Sequence, residues 1–189
     1  FKKLLMKKFL VIGNPIEHSL SPMLHNYWIK DNGIDAIYEK QKLNNNELEK
    51  IILQLKEKKI DGVNVTVPFK KIIIPFLDKL SIEADKTQSV NTLYLKNNKV
   101  VGHNTDIFGF ETSIKKSQYD VFNKEVLILG AGGVVPSIIY ALNKMKISKI
   151  KISNRTKEKA ENLKKLFKNI ELIEWGEVPN FDIIINATS

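Results

Sequence analysis

The sequence predicts an α/β chain of two lobes, and three observations predict it. Short apolar runs alternate with segments of helical periodicity along most of the length. Several of those runs end in glycine, asparagine or proline, as strands do where they leave into a turn. From Glu125 onward a strand, a glycine-rich loop, a helix and a second strand follow one another as a βαβ unit, which requires parallel pairing. The chain has 189 residues, 43% of them hydrophobic, sufficient to bury a core in one large domain or two small ones.

Phe9–Gly13 reads as a buried strand that leaves into Gly13-Asn14-Pro15. Pro22 opens a helix whose Met23, Leu24, Tyr27 and Trp28 form one apolar face, ended by Asn32-Gly33. Ile37-Tyr38-Glu39 predicts a second strand. Glu47–Lys59 predicts a helix with Leu48, Ile51, Ile52 and Leu55 on one face, and Gly62–Val67 a third strand closed by Pro68. Val90–Leu95 and Val100-Val101 flank Asn97-Asn98 as a hairpin expected at the edge of this lobe. Asp106 is expected to cap the next helix. The second lobe then reads as strand Val126–Leu129, loop Gly130–Gly133, helix Ser137–Asn143, strand Lys149–Ser153, helix Lys157–Phe167 and strand Asp182–Ile185. The expected domains are 6–106 and 107–189, with a junction near residues 104–124. Trp28 and Trp175 read as packing residues.

Composition excludes several function classes. No apolar run approaches the roughly 18 residues of a membrane span, and Phe1-Lys2-Lys3-Leu4-Leu5 lacks the long apolar stretch and cleavage site of a signal peptide. Met6 is a second candidate start. Without cysteine there is no disulfide framework and no thiolate metal site, which points to the cytoplasm, and no metal is expected. His18, His25 and His103 show no spacing known for metal or triad chemistry; His18 and His103 border the polar clusters described below. The net charge of +9 invites a nucleic-acid reading, but the lysines are spread evenly and no aromatics interleave with them. An anionic small molecule accounts for the charge more simply, and neither nucleic acid nor membrane is an expected partner.

The loop Gly130-Ala131-Gly132-Gly133-Val134 lies between a strand and a helix, where backbone amides can approach a pyrophosphate at the positive end of the helix dipole. The strict fingerprint asks for Gly or Ala three positions after Gly132, where Val135 stands. A tight turn without a ligand is the plainer alternative. At the end of the following strand, an NAD site usually carries a carboxylate for the ribose hydroxyls. Here Asn154-Arg155-Thr156 supplies donors instead, with Lys159 one turn on, which favours the 2′-phosphate of NADP(H). The alternative is that Ser153-Asn154 only caps the helix and Arg155 is solvated.

In the first lobe, Ser19 and Ser21 place two hydroxyls just before a helix, suited to an anion such as a carboxylate, although either could simply cap. Asn64 and Thr66 share a face at a strand end, with Lys70 in the loop beyond. Asn91-Thr92 and Gly102-His103-Asn104-Thr105-Asp106 add further polar groups at element ends.

Seven pieces in this order resemble the shikimate dehydrogenase family from about Phe9 to Ser189. They are Gly13-Asn14-Pro15 with the Ser-x-Ser pair, Asn64-Val65-Thr66-Val67-Pro68-Phe69-Lys70, Val90-Asn91-Thr92, Asn104-Thr105-Asp106, Gly130-Ala131-Gly132-Gly133, Asn154-Arg155-Thr156 and Asn186-Ala187-Thr188. The resemblance implies an α/β substrate lobe with a mostly parallel sheet, followed by a truncated Rossmann-like NADP-binding domain. It implies NADPH-dependent reduction of 3-dehydroshikimate to shikimate, a step of chorismate and aromatic amino-acid biosynthesis, by a monomer or homodimer. Ser19 and Ser21 would hold the substrate carboxylate, Thr66, Asn91 and Asp106 its hydroxyls, and Thr188 would join the cofactor residues. Lys70 would neutralise the developing alkoxide and deliver the proton, with Asp106 orienting its ammonium. The plainer readings are a solvated surface lysine and an N-cap.

Family members continue past Ser189 with further strands and a C-terminal helical segment, so the resemblance also implies that this chain lacks the end of its cofactor domain. A quinate-oxidising relative and a metabolite- or nucleotide-binding module without turnover are the rival readings. A folate-type dehydrogenase is a third, disfavoured by the Ser-x-Ser and Asn-x-Thr-x-Pro-x-Lys pieces.

Overall fold

A computed structural model describes residues 6–188; the basic opening Phe1–Leu5 and Ser189, the last residue of the second expected domain, lie outside the described residues. The chain divides into two compact units, the first ending at Asn104 and the second beginning at Thr105.

The first unit runs β1 (Lys7–Gly13), α1 (Ser21–Asp31), β2 (Ala36–Lys42), α2 (Leu48–Lys56), β3 (Gly62–Val65), α3 (Phe69–Ile72), β4 (Lys79–Leu80), α4 (Ile82–Thr87), β5 (Thr92–Lys96) and β6 (Lys99–His103). Its sheet has the order β2-β1-β3-β5-β6-β4. The β2-β1-β3 part is parallel, β3-β5-β6 is antiparallel, and β4 returns parallel to β6. The helical period of Leu48, Ile51, Ile52 and Leu55 is fully used: all four are buried against Leu10, Ile12, Val63 and Val65, while Leu53 on the other face is exposed. Truncating one such leucine to alanine costs roughly 2–5 kcal/mol, so this seam is a large share of the unit's stability. The hairpin turn at Asn97-Asn98 has both residues at positive φ, +51° and +59°, the conformation that asparagine tolerates and a two-residue hairpin needs.

Two expectations fail here. The β5-β6 hairpin is not at the sheet edge, because the two-residue β4 pairs outside β6; so short a strand has no sequence pattern and exists only through its partner. The apolar face of α1 is not buried either: Met23, Leu24, Tyr27 and Trp28 are exposed, and so is Trp175, which corrects the packing reading of both tryptophans. Helix α1 is tied down instead by polar groups. β2 is an edge strand whose outward backbone groups need partners. The Asn26 carboxamide takes both from Tyr38, donating to its carbonyl at 2.8 Å and accepting from its N–H at 2.9 Å.

The second unit runs α5 (Asp106–Lys116), β7 (Glu125–Leu129), α6 (Val135–Lys144), β8 (Lys149–Ser153), α7 (Lys157–Leu166), β9 (Ile170–Ile173) and β10 (Ile183–Asn186). Its sheet is wholly parallel in the order β10-β7-β8-β9, as the βαβ pattern requires. Val126, Ile128, Ile150 and Ile152 from the central strands pack with Val135, Ile139 and Leu142 of α6 and Leu163 of α7. The buried Lys151 ammonium is compensated by Glu125 and by the Asn180 carbonyl at 2.6 Å. Strand β9 was not expected from the sequence.

Candidate functional site

In the first unit the polar clusters converge on one end of the sheet. β1 and β3 end there, antiparallel β5 begins there with Thr92 opposite Asn64, and β6 ends there with His103 opposite Thr92. Backbone bonds lock the strand ends together. The Thr66 N–H donates to Ile12 O at 3.0 Å, Asn14 N–H to Val67 O at 2.9 Å, and Val65 N–H to Asn91 O at 2.8 Å. Gly13 is required at this junction, because a Cβ there would lie 2.6 Å from Thr66 Cγ2.

Lys70 occupies the second position of α3, just after the cis Val67-Pro68 bond and anchored by the buried Phe69. Its carbonyl accepts from Val90 N–H at 2.8 Å, which fastens the Lys70 turn beside Asn91. Asn91 is half-buried, and its own N–H donates to His103 O at 3.0 Å. Thr66, Lys70 and Asn91 are thus fixed by the same strand ends.

Ser19 and Ser21 follow β1 at that end of the sheet, both half-buried. The N-cap position of α1 is Leu20, between them, and carries no side-chain cap bond. Ser19 Oγ only accepts from Ser21 N–H, at a long 3.4 Å. Capping therefore does not account for either hydroxyl fully.

Asp106 belongs to the second unit and is the first residue of α5. Thr105, not Asp106, holds the N-cap position, and no side-chain cap bond forms there, which corrects the capping expectation. A carboxylate in a first helical turn is still favoured by the helix dipole.

Sequence reasoning singled out Asn64, Asn91 and Thr92 but missed Tyr38, which the structure joins to them. The Tyr38 hydroxyl donates to Asn64 Oδ1 at 2.7 Å. Asn64 Nδ2 donates to Thr92 Oγ1 at 3.2 Å and to Asn91 O at 3.3 Å, and Thr92 Oγ1 donates to Asn91 Oδ1 at 3.0 Å. The Tyr38 ring is stacked on His25, with centroids 4.1 Å apart. Burial pushes the Tyr38 hydroxyl up to about 12 and lowers His25. The sequence placed Tyr38 in a strand, and nothing in its sequence neighbourhood signals the buried hydroxyl. His18 is exposed and His103 half-buried.

In the second unit the glycine loop joins β7 to α6 at the carboxyl ends of the parallel strands. Gly130 has φ +108°, and a Cβ there would lie 2.6 Å from Ala187 O, so only glycine fits. Ala187 N–H donates to Leu129 O at 2.8 Å, which brings Asn186-Ala187-Thr188 against the loop. Thr188 Oγ1 donates to Asn186 Oδ1 at 2.7 Å. Val134 is the N-cap of α6, and Val135 is fully buried in the core, filling space that a glycine in the strict fingerprint would leave to close helix–strand packing.

At the end of β8, Asn154 Nδ2 donates to Thr156 O at 2.7 Å, and Thr156, the N-cap of α7, makes no side-chain cap bond. The capping alternative for Ser153-Asn154 is therefore not what the structure shows. Arg155, Thr156 and Lys159 are exposed. Lys157 is committed to Glu174 at 3.1 Å, and that hydrogen bond holds the ammonium pKa above its usual value. Arg155 and Lys159 remain as the cations beside the loop end, with no carboxylate at the ribose position, a donor set that fits a nucleotide 2′-phosphate. Among the described residues no group of three or more histidines and carboxylates is placed to hold a metal ion.

Comparison with known proteins matches two parts of the chain to two family models. Residues 11–93 match the family model described as the shikimate dehydrogenase substrate binding domain, and residues 112–189 the one described as shikimate / quinate 5-dehydrogenase. The chain is 61% identical to the NADP(+) shikimate dehydrogenase of Pelagibacter ubique, over 97% of this chain and 69% of that protein. It resembles the crystal structure of shikimate dehydrogenase from Aquifex aeolicus with TM-score 0.88 and 40% identity, covering 97% of this chain and 69% of that one. It also resembles a Thermus thermophilus shikimate 5-dehydrogenase in complex with NADP(H) and shikimate, with TM-score 0.86 and 29% identity, covering 97% and 69%. The chain thus spans about two thirds of the length of these relatives.

Proposed function

This chain belongs to the shikimate dehydrogenase family, and from that premise we propose that it carries the substrate site and the phosphate-binding part of the cofactor site of an NADP(H)-dependent reductase of 3-dehydroshikimate. The reading is supported above all by the backbone arrangement at the strand ends, where the Val90 N–H to Lys70 O bond and the Val65 N–H to Asn91 O bond bring the backbones of the Lys70 turn, Asn91 and the end of β3 together. The reaction serves aromatic amino-acid biosynthesis, and the cysteine-free sequence supports the cytoplasm as its place.

NADPH, when bound, supplies a hydride to the ketone carbon. The chain's residues handle charge and protons. The Lys70 ammonium neutralises the negative charge that grows on the ketone oxygen and delivers the proton from Nζ. Asp106 orients that ammonium and accepts from a substrate hydroxyl. Ser19 and Ser21 donate to the substrate carboxylate, and Thr66 and Asn91 bond its hydroxyls, which holds the carbonyl where the proton can reach it. Gly130, Ala131, Gly132, Gly133 and Val134 offer backbone to the pyrophosphate, Thr188 borders the loop, and Asn154, Arg155, Thr156 and Lys159 take the 2′-phosphate.

The test is NADPH oxidation followed at 340 nm with 3-dehydroshikimate, alongside shikimate and quinate as reductants of NADP and NAD. Turnover confined to the shikimate pair with NADP(H) supports the reading. A preference for quinate with NAD would replace it. Binding of both ligands without turnover would leave a metabolite-binding module.

A further inference from the structure

The loop that carries Ser19 and Ser21 is fastened to one face of β2. Tyr38, Lys40 and Lys42 alternate along that face, in register with Phe9, Val11 and Gly13 of β1. The apolar cluster between this face and the loop is small: Val11, Ile16 and Tyr38 are buried together, Phe9 and Ile29 pack against them, and α1 contributes no buried residue. The start of α1 has no side-chain cap bond either. So little apolar burial does not by itself fix where Ser19 and Ser21 sit.

Polar bonds hold the chain on both sides of the two serines. After them, Asn26 of α1 grips the backbone of Tyr38. Before them, Glu17 is engaged three times. Lys42 donates to its Oε1 at 2.8 Å, the Ile16 N–H to its Oε2 at 3.0 Å, and Lys40 to its carbonyl. The Ile16 carbonyl in turn accepts from Ser19 N–H at 3.1 Å, so the residue held by the Glu17 carboxylate also sets the turn into Ser19. The Lys42 hydrogen bond, with backbone bonds second, holds the Glu17 carboxyl down at about 2, and it stays charged at neutral pH.

We propose that Glu17, strapped to Lys40 and Lys42 of β2, is a positioning residue for substrate binding, fixing the loop after β1 so that the Ser19 and Ser21 hydroxyls meet a carboxylate together. The proposal rests on the assignment of those serines to the substrate made above. Glu17 has the wrong charge to contact that carboxylate, and the lysines that engage it offset its repulsion. Two hydroxyls on a loop that is already set bind an anion without the ordering cost that a loose loop carries. Exposed ion pairs are individually weak, so the strap acts modestly on affinity and does not decide the fold.

The experiment is titration of shikimate into the full chain and into Glu17→Gln, Lys42→Gln and the double variant. Glu39→Gln is the control, because Glu39 alternates to the other face of β2, where it pairs with Lys8 at 2.6 Å. Thermal unfolding checks that each variant folds. A strap gives opposite charge changes the same sign: Glu17→Gln and Lys42→Gln should each weaken binding about 3- to 5-fold. The double variant should be little worse than either single one, because one bond is lost in all three. Glu39→Gln should leave affinity unchanged. Opposite signs, the outcome of a simple field acting on the ligand, would overturn the strap, as would a loss in one single variant alone or an equal loss from Glu39→Gln.

Hydrogen exchange of the Ser19 N–H without ligand separates the strap from the substrate reading beneath it. If Glu17→Gln speeds that exchange several-fold while the unaltered chain binds no shikimate, the strap stands and the substrate reading falls. If the rate does not change, the strap is wrong whatever binds.

Discussion

Lys70 is one of 30 basic residues, and its charge alone gives it no distinction. What singles it out is position: it stands one residue after the fully buried Phe69, with its carbonyl fastened to the segment that leads through Asn91 into β5. Lys70→Met keeps the length of the side chain and removes the ammonium, so kcat should fall by about 10²–10⁴ while shikimate binding changes far less. Unchanged kcat in a steady-state assay would remove Lys70 from the chemistry. Arg155→Asp puts a carboxylate where a 2′-phosphate is expected. KM for NADPH should then rise by about tenfold or more, with NADH little affected, and unaltered NADPH kinetics would refute the phosphate assignment. Tyr38 makes a prediction about pH. Its hydroxyl is raised by burial from 10.0 to about 12 in the folded chain. The stability it contributes is therefore complete below pH 10 and is lost as pH rises toward 12, because only the unfolded chain ionises easily in that window. A chemical-denaturation series from pH 9 to 12 should show a steeper fall for the native sequence than for Tyr38→Phe, and parallel curves would contradict the buried hydroxyl.

At the scale of elements, local pattern and tertiary demand divided the work. Helix α2 was legible because its four buried positions repeat at helical spacing. The parallel strands of the second unit were legible because runs such as Val126–Leu129 are apolar and closed by glycine. β4, α3, α4 and β9 were not, since elements of two to six residues carry too few positions to establish a period. Helix α1 was legible as a helix but misread in its burial, because Met23, Tyr27 and Trp28 have the right spacing and nothing among the described residues covers them. The glycine loop gives the element-scale prediction. Gly130→Ala forces a Cβ to within 2.6 Å of Ala187 O at a φ of +108°, so β10 must shift away from β7. The melting temperature should drop and NADPH affinity should fall by more than tenfold. Gly132→Ala has room, its Cβ meeting only Ala187 O at 3.8 Å, and should leave the melting temperature nearly unchanged. Equal effects of the two substitutions would show that the loop geometry is not what matters.

For the whole molecule, the two units end and begin at Asn104 and Thr105, and each has its own sheet and core. Apart from Asp106, the residues assigned to the substrate lie in the first unit and those assigned to the cofactor in the second, so each ligand should be sensed mainly in its own unit. In hydrogen exchange, shikimate should slow the segments around Ser19–Ser21, Thr66–Lys70 and Asn91, and NADPH those around Gly130–Val134 and Asn154–Thr156. Protection of the glycine loop by shikimate alone would reverse the assignment of the units.

The sequence by itself determined the α/β class, the glycine loop, the basic end of β8 and the seven ordered pieces that carry the family resemblance, because each is written in residues close together in the chain. Only the tertiary structure decided which polar groups meet. The Ser-x-Ser pair, Thr66, Lys70 and Asn91 share one sheet end because parallel β1 and β3 meet antiparallel β5 there. The Tyr38 hydroxyl meets Asn64, and Asn64 and Thr92 meet Asn91, through hydrogen bonds between residues far apart in sequence. Hydrogen bonds are directional and short, so their partners are fixed by strand order and register, which no local pattern of residues specifies.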